Sequence, residues 1–264
     1  MKARFIVKNS LKLFLISLSS IHPEKTIPIL LYHSIDNSGR EDSVSPENFS
    51  KHMEYLYKNN YRVISLDDTD KYIGNSCKRK IHKVLAITFD DGYKSVYKTA
   101  LPILQKYGFP ATVFIPTKYV GKTSEWIDQS IPLLTWDEIL IMNSKGISFG
   151  SHGHSHQDLT DMSHTQAKHE LELSRKLLEE KLQSPVISFS YPYSKSNEYI
   201  ENITLECGYK MLFSAINNER GTPKNSFPLL RRSVMRDDKS ISFTFLLSNT
   251  YQYYFDIKKL AGLF

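Results

Sequence analysis

The sequence predicts an α/β fold built on a parallel sheet, and three observations lead to this prediction. Short runs of strand-forming residues alternate with segments of helical spacing along most of the 264 residues. Residues that can carry chemistry repeatedly follow the strands, as they do at the carboxyl-terminal face of α/β barrels. With 41% hydrophobic residues, the chain can bury one substantial core, and barrels of this length form a single domain.

The predicted elements alternate along the chain. Ser45 and Pro46 mark a helix start, because serine caps the first turn and proline suits its backbone; this helix runs to Asn60. The helix after residue 92 is stopped by Gly108 and Pro110. The other predicted strands are 27–31, 61–65, 84–87, 111–115, 146–149, 186–190, 210–216 and 229–234, and the other predicted helices are 136–145, 163–182 and 196–206.

Two adjacent acidic residues, Asp90 and Asp91, follow the strand-forming run 84–87. Gly92 permits a turn that can bring both carboxylates to one pocket, although successive strand residues point to opposite sides. Two carboxylates at such short range repel each other at neutral pH unless a cation or a shared proton lies between them. The pair therefore suggests a site, and a simple surface turn is the alternative.

Two histidines four residues apart, His152 and His156, follow the strand-forming residues 146–149. Imidazole nitrogens are common ligands of zinc-like metals, and this spacing recurs among metal ligands. The flanking glycine and serine residues favour a strand that turns into a loop. One Asp with two His suits a catalytic metal site that keeps positions open for water and substrate, whereas a His-rich surface loop is the alternative. We expect His154, between them, to be exposed or packed rather than a third ligand.

Two further strand ends carry aromatic and imidazole side chains. Tyr191, Pro192 and Tyr193 follow the strand at 186–190, and rings on either side of a rigid proline form a wall that suits the apolar face of a sugar. His33 comes where the first apolar strand ends. Taken singly, Tyr-Pro-Tyr is also ordinary turn composition, and a lone histidine at a strand end is more often structural than functional.

The combination and order of these motifs resemble the polysaccharide deacetylase family, also called the NodB-homology domain or carbohydrate esterase family 4. The resemblance runs from about Ile27 to about Asp238, and its most specific parts are Thr-Phe-Asp-Asp-Gly at 88–92 and Ser-His-Gly-His-Ser-His at 151–156. It implies a distorted (β/α) barrel of about seven parallel strands. Leu-Tyr-His-Ser-Ile at 31–35 is similar to a subgroup that deacetylates β-1,6-linked poly-N-acetylglucosamine, in which the motif order is permuted.

The resemblance implies a role for each residue that matches a family motif. Asp91, His152 and His156 would bind a divalent metal, most often Zn²⁺. Asp90 would be the general base. His33 would be the general acid, because the subgroup takes this histidine from its first strand instead of from the C-terminal part of the domain.

The Tyr-Pro-Tyr segment also gains a role from the resemblance. Tyr193 would lie in the substrate groove and offer its main-chain N–H to the oxyanion, with Tyr191 and Pro192 beside it. Many family members carry an arginine three residues before this tyrosine to orient the base, whereas this chain has Ser190 there. Arg232 matches an arginine near the end of the subgroup's domain, and we expect it to supply the missing charge.

Composition narrows the partners and the compartment. The net charge is +6, but the Lys and Arg residues are scattered, which argues against nucleic acid as a partner. Two cysteines, Cys77 and Cys207, do not suggest a disulfide framework. Basic residues and a short apolar run before residue 25 resemble a signal peptide or membrane anchor, so we expect an exported or envelope-associated protein, with a cytoplasmic location as the alternative.

We therefore divide the chain into a signal or membrane-anchor segment at 1–25, a catalytic domain at 26–240 and a helical tail at 241–264 that packs on the barrel. The leading function is a metal-dependent hydrolase that removes N-acetyl groups from an acetylated glycan. An O-acetyl esterase or a small-amide hydrolase could use the same metal site. A non-catalytic glycan-binding protein is the third alternative, although a pure binder has no chemical need for the acidic pair and both histidines. The sequence does not determine the oligomeric state.

Overall fold

The computed structural model describes residues 12, 13, 15–17, 27–71, 83–215, 228–251 and 254. The strands in these residues are β1 (Ile29–Tyr32), β2 (Arg62–Ile64), β3 (Val84–Phe89), β4 (Ala111–Ile115), β5 (Ile147–Ser151), β6 (Ser188–Ser190), β7 (Met211–Ala215) and β8 (Leu229–Ser233). The helices are α1 (Pro46–Lys58), α2 (Leu101–Tyr107, after a π-helical turn at Val96–Ala100), α3 (Trp136–Ser144), α4 (His164–Leu182), α5 (Glu198–Glu206) and α6 (Ser240–Leu247).

Seven of the strands close into a barrel, and all of their pairings are parallel. The strand order is β1-β8-β7-β6-β5-β4-β3, and β1 closes the ring by pairing with β3, with Leu30 opposite Ile87. The short strand β2 pairs with the first half of β3, whereas β4 pairs with its second half. The predicted (β/α) barrel of about seven parallel strands is therefore confirmed.

Side chains of β3 alternate between the barrel interior and the layer of helices. Val84 and Ala86 belong to the apolar cluster inside the barrel, whereas Leu85 and Ile87 belong to the larger core between strands and helices. All six residues of β3 are buried, as expected for a parallel strand that is covered on both faces. The alternation sends Asp90 inward at the carboxyl-terminal end of the barrel.

The helix starts follow the capping residues of the sequence. The Ser45 side chain accepts a hydrogen bond from the Asn48 main-chain N–H at the start of α1. Ser163 caps α4 in the same way, and the predicted starts of both helices are confirmed. Strand β6 is shorter than its predicted range 186–190, because regular pairing begins only at Ser188.

The parts of the chain near the two termini contact each other. The Lys12 ammonium donates to Ser242 Oγ at 2.7 Å, and the Thr250 hydroxyl donates to the Leu15 carbonyl at 2.9 Å. Helix α6 packs on the domain through Phe243, whose ring stacks on the His52 imidazole with centroids 3.9 Å apart. Most of the predicted segment 1–25, residues 252, 253 and 255–264 of the predicted tail, and Cys77 lie outside the described residues. No helix in the described part of the chain combines the length and the apolar character needed to cross a bilayer.

Candidate active site

A sharp turn after β3 brings the two carboxylates into one cavity. Asp91 and Gly92 both have positive φ angles, of 69° and 64°. Glycine is favoured at the second position, because other residues rarely adopt this φ angle and a Cβ there would also lie 2.9 Å from Ile115 Cδ1. Asp90 and Asp91 both line a cavity of about 240 Å³ at the end of the barrel where the strands terminate.

The two histidines come from the segment that follows β5. His152 directly follows the strand, and His156 lies at the end of a tight loop with a φ angle of 53°. The Glu170 carboxylate on α4 holds this loop by accepting hydrogen bonds from the main-chain N–H groups of His154 and Ser155, at 3.0 and 2.8 Å. The loop that positions His156 is thus held by the half-buried Glu170 side chain of the neighbouring helix.

Asp91, His152 and His156 bring three ligand atoms together, all within 4.8 Å of one another. Asp91 Oδ1 lies 3.3 Å from His152 Nε2 and 3.1 Å from His156 Nε2. Ligands at about 2.0–2.1 Å from a tetrahedral zinc ion would be separated by about 3.3 Å. Both Asp91–histidine separations match this spacing, and the three side chains together offer a ligand set for one divalent cation.

The hydrogen bonding of His152 fits the same interpretation. Its Nδ1 lies 2.7 Å from the Ser190 carbonyl, which can only accept, so Nδ1 carries the proton and Nε2 presents its lone pair. His154 is absent from this cluster, and its Nδ1 instead lies 2.9 Å from the Thr117 hydroxyl. The prediction that His154 is packed rather than ligating agrees with this contact.

Electrostatics favour an ionised Asp91. Burial alone would raise the pKa of Asp91, but the hydrogen bonds with His152 and His156 hold it well below its ordinary value. Burial would lower the pKa of His152, but the carboxylates of Asp90 and Asp91 raise it above its ordinary value. The raised pKa favours a second proton on His152 Nε2, which a cation at the cluster would have to displace, because metal ligands bind in their deprotonated form.

Asp90 is held by a buried arginine on β8. Arg231 donates from both terminal nitrogens to the two oxygens of Asp90, at 2.7 and 2.6 Å. The Ser190 hydroxyl lies between the two groups: it donates to Asp90 Oδ2 at 3.0 Å and accepts from Arg231 at 2.7 Å. Burial would raise the pKa of Asp90, but the Arg231 guanidinium holds it below its ordinary value. Asp90 is therefore ionised at neutral pH.

The expectation that Arg232 orients Asp90 is wrong, because neighbouring residues of a strand point to opposite sides. Arg231 points into the barrel, where its guanidinium lies 5.2 Å from the centroid of the Phe114 ring. Arg232 points outward, donates to the carbonyls of Leu246 and Ser248, and lies over the Tyr251 ring at 5.1 Å. Arg232 thus secures the segment after α6, while the charge missing at Ser190 comes from Arg231.

The Tyr-Pro-Tyr segment divides its two rings between the core and the surface. Tyr191 is buried, and its hydroxyl donates to Thr204 Oγ1 at 3.1 Å. Tyr193 is 51% exposed, has a φ angle of 57°, and places its ring 4.9 Å from the His156 ring. Pro192 is buried between them. Both tyrosines line the cavity, but only the Tyr193 ring is exposed at its mouth, because the Tyr191 ring packs in the core.

His33 lies in the same cavity as the two carboxylates and the two histidines. Its Nδ1 is buried and has no hydrogen-bond partner. An unpaired imidazole nitrogen in a cavity can exchange a proton with a bound molecule. The structure thus brings the first-strand histidine together with the cluster that follows β3 and β5.

Comparison with known proteins identifies the family. Residues 78–212 match the family model described as polysaccharide deacetylase, which is half of the chain. The chain belongs to the polysaccharide deacetylase family.

Relatives from two bacteria support this membership. The chain is 32% identical over 185 residues to YxkH of Bacillus subtilis, whose name gives polysaccharide deacetylase as a provisional assignment; the match covers 70% of this chain and 63% of that protein. It is 26% identical over 207 residues to the poly-β-1,6-N-acetyl-D-glucosamine N-deacetylase of Staphylococcus aureus, with 74% and 69% coverage. The fold resembles that of the Streptococcus pyogenes deacetylase PplD, with a TM-score of 0.72, 24% identity, and coverage of 86% of this chain and 100% of that one.

Three contributors to this candidate site were missed from the sequence. Arg231 holds Asp90, and Glu170 holds the loop before His156. Both contacts form only in the folded barrel. Trp126 stacks on His156 with ring centroids 4.0 Å apart and lines the cavity. Trp126 lies in the long β4–α3 connection, where no local pattern distinguished it from an ordinary loop residue.

Proposed function

We propose that the protein is a metal-dependent deacetylase that hydrolyses N-acetyl groups of an acetylated glycan. The observation that carries this proposal is the convergence of Asp91, His152 and His156 beside an ionised Asp90 in one cavity. A divalent ion held there, for which Zn²⁺ is our proposal, would lower the pKa of water and polarise the acyl carbonyl. The other steps depend on the chain's own residues.

Asp90 acts as the general base in this proposal. As water adds to the acyl carbon, Asp90 takes the proton, which requires that its carboxylate be ionised and correctly oriented. Arg231 and the Ser190 hydroxyl provide both conditions through hydrogen bonds of 2.6–3.0 Å. A base with a lowered pKa is a weaker proton acceptor, but it remains in the productive form over a wide pH range.

His33 acts as the general acid. The carbon–nitrogen bond of the tetrahedral intermediate breaks only when the departing nitrogen gains a proton, because an amide anion is a very poor leaving group. The imidazole lines the cavity and its Nδ1 has no protein partner. Proton delivery by His33 would release acetate and leave a free amine on the sugar.

Tyr193 completes the proposed substrate groove. Its main-chain N–H would bind the oxyanion, and its exposed ring offers a flat apolar face on which a sugar ring can pack. Pro192 fixes the approach of the chain, since its ring restricts the backbone just before this tyrosine.

The substrate class follows from the relatives and from the chemistry of the cavity. A relative in Staphylococcus aureus is named as an N-deacetylase of poly-β-1,6-N-acetyl-D-glucosamine, so we propose an N-acetylhexosamine polymer as substrate. Such polymers lie outside the cytoplasm, and we therefore propose that the protein acts in the cell envelope or beyond it.

Acetate release tests this function. Purified protein is incubated with β-1,6- and β-1,4-linked N-acetylglucosamine oligomers and with O-acetylated xylan, each with chelator and after return of Zn²⁺. We expect metal-dependent release of acetate from the N-acetylated oligomers and loss of release in Asp90→Asn. Release from xylan alone would favour the O-acetyl esterase. Binding of oligomers without any release would favour the non-catalytic glycan-binding protein.

A further inference from the structure

The Tyr93 hydroxyl is a buried donor without a partner at the candidate active site. Tyr93 is fully buried, and its hydroxyl makes no hydrogen bond of good distance and angle, although burial and the nearby Asp91 carboxylate both raise its pKa. The residue lines the same cavity as Asp90, Asp91 and His33. Buried polar groups in proteins are almost always hydrogen-bonded, so this hydroxyl is available to donate to a molecule that binds in the cavity.

The ring of Tyr93 is held in place, so the hydroxyl cannot turn to solvent. The Arg40 guanidinium lies over the ring at 5.0 Å from its centroid. Tyr93 packs in a small apolar cluster with Tyr119 and Leu133, and it forms an isolated β-bridge with Leu133. The Tyr93 ring is therefore packed between the β4–α3 connection, which contains Leu133, and the Arg40 side chain. Because Tyr93 lines the cavity and its ring is packed on both sides, its hydroxyl keeps a fixed position beside the cavity.

The cavity contains a second donor of the same kind. Trp126 Nε1 is also buried without a partner, and its side chain lines the cavity as well. Two unpaired donors on one wall would be satisfied by acceptor oxygens of a bound molecule. In an N-acetylated sugar these acceptors are the acyl oxygen and the ring hydroxyls.

The depth of Tyr93 in the cavity indicates which oxygen of the substrate its hydroxyl would contact. Tyr193, at the mouth, is 51% exposed, whereas Tyr93 is fully buried. A sugar that belongs to a polymer must keep its glycosidic bonds at the mouth, so its acyl group enters first and lies deepest. Tyr93 is also only two residues after Asp91, the carboxylate of the ligand cluster.

We propose that the Tyr93 hydroxyl donates a hydrogen bond to the acyl oxygen of the substrate, and to an oxygen of the acetate that is released. This inference rests on the proposed deacetylase function and names a second donor for the oxyanion, beside the main chain of Tyr193. The carbonyl oxygen gains negative charge as water adds, so this hydrogen bond strengthens in the transition state. Its loss should therefore lower kcat more than it raises KM.

Tyr93→Phe tests the inference, with Tyr119→Phe as the matched control. Tyr119 lies in the same apolar cluster but is not among the residues that line the cavity. Each variant is loaded with Zn²⁺, and its metal content, unfolding midpoint in urea, acetate affinity by calorimetry and steady-state kinetics are compared with those of the wild type.

We expect Tyr93→Phe to keep its metal, to unfold at the same or a higher urea concentration, to bind acetate about 10-fold more weakly, and to lose about 10²- to 10³-fold in kcat. A hydroxyl that served only the fold would lower the midpoint when removed. Unchanged acetate affinity and kcat would overturn the inference, and so would a parallel loss of metal. If the wild type releases no acetate from any glycan while Tyr93→Phe still weakens acetate binding, the proposed function fails and the Tyr93 assignment stands.

Discussion

Replacement of Arg231 by methionine removes the cation from a fully buried ion pair. Arg231 has no exposed surface, and two of its nitrogens donate to Asp90 at 2.7 and 2.6 Å. Hydrogen bonds to charged groups contribute about 1.5–3 kcal/mol each, and removal of one partner of a buried pair costs about 3–5 kcal/mol. We therefore expect the free energy of unfolding at pH 7 to fall by about 3–5 kcal/mol.

The same substitution should change the pH dependence of activity. Without Arg231, the burial of Asp90 is no longer opposed, so the pKa of this carboxyl rises. The stability that Asp90 contributes is present above the ordinary pKa of an aspartate and is lost as pH falls through its lowered folded-state pKa. The acid limb of kcat/KM should move to higher pH in Arg231→Met, and kcat/KM at pH 7 should fall on the order of 100-fold.

Arg232→Met is the matched control, because it removes the neighbouring guanidinium of the same strand. That variant loses hydrogen bonds to the carbonyls of Leu246 and Ser248 and should be destabilised, but the acid limb of its activity should not move. Urea unfolding and pH–rate profiles of both variants provide the measurement. An unshifted acid limb in Arg231→Met, or an equal shift in Arg232→Met, would refute the assignment of Arg231 to Asp90.

Three further predictions concern other residues. His33→Ala should lower turnover by about 10²- to 10⁴-fold with its metal retained; unchanged turnover in the metal-loaded variant would remove His33 from the mechanism. Glu170→Ala should weaken zinc affinity by about 10- to 100-fold in a chelator competition, because the loop before His156 loses its anchor; equal affinity would show that the loop holds itself. Burial lowers the pKa of His52 to about 4 from 6.5, so protonation favours the unfolded chain. Stability should be complete above about pH 6.5 and fall by up to about 3 kcal/mol towards pH 4, and His52→Gln should flatten this dependence in urea titrations; the same slope in the variant would contradict the assignment.

The sequence predicts the position of a site residue best where that position depends only on one strand and the turn that follows it. Asp91 and His152 each follow a strand that is readable from its own residues, and a parallel barrel brings all such strand ends to one rim. The helix starts at Ser45 and Ser163 were readable for the same reason, since a cap depends on residues within one turn.

The choice between Arg231 and Arg232 depended on which face of β8 points inward. Leu229 and Leu230 precede the two arginines, so this strand lacks the alternation of polar and apolar residues that would fix its phase. Which residues of β8 point into the barrel is seen only from the pairing with β1, where Leu30 lies opposite Arg232. The same limit applies to Tyr191, whose ring is drawn into the core by packing on Phe189.

The most direct test of the account is the location and stoichiometry of bound metal. Crystals of zinc-loaded protein, measured for anomalous scattering at the zinc edge, should show one ion within about 2.0–2.2 Å of ligand atoms from Asp91, His152 and His156. Elemental analysis should give one equivalent in the wild type and none in Asp91→Ala. An ion bound elsewhere, or a full equivalent retained by Asp91→Ala, would contradict the metal centre from which the proposed deacetylase chemistry follows.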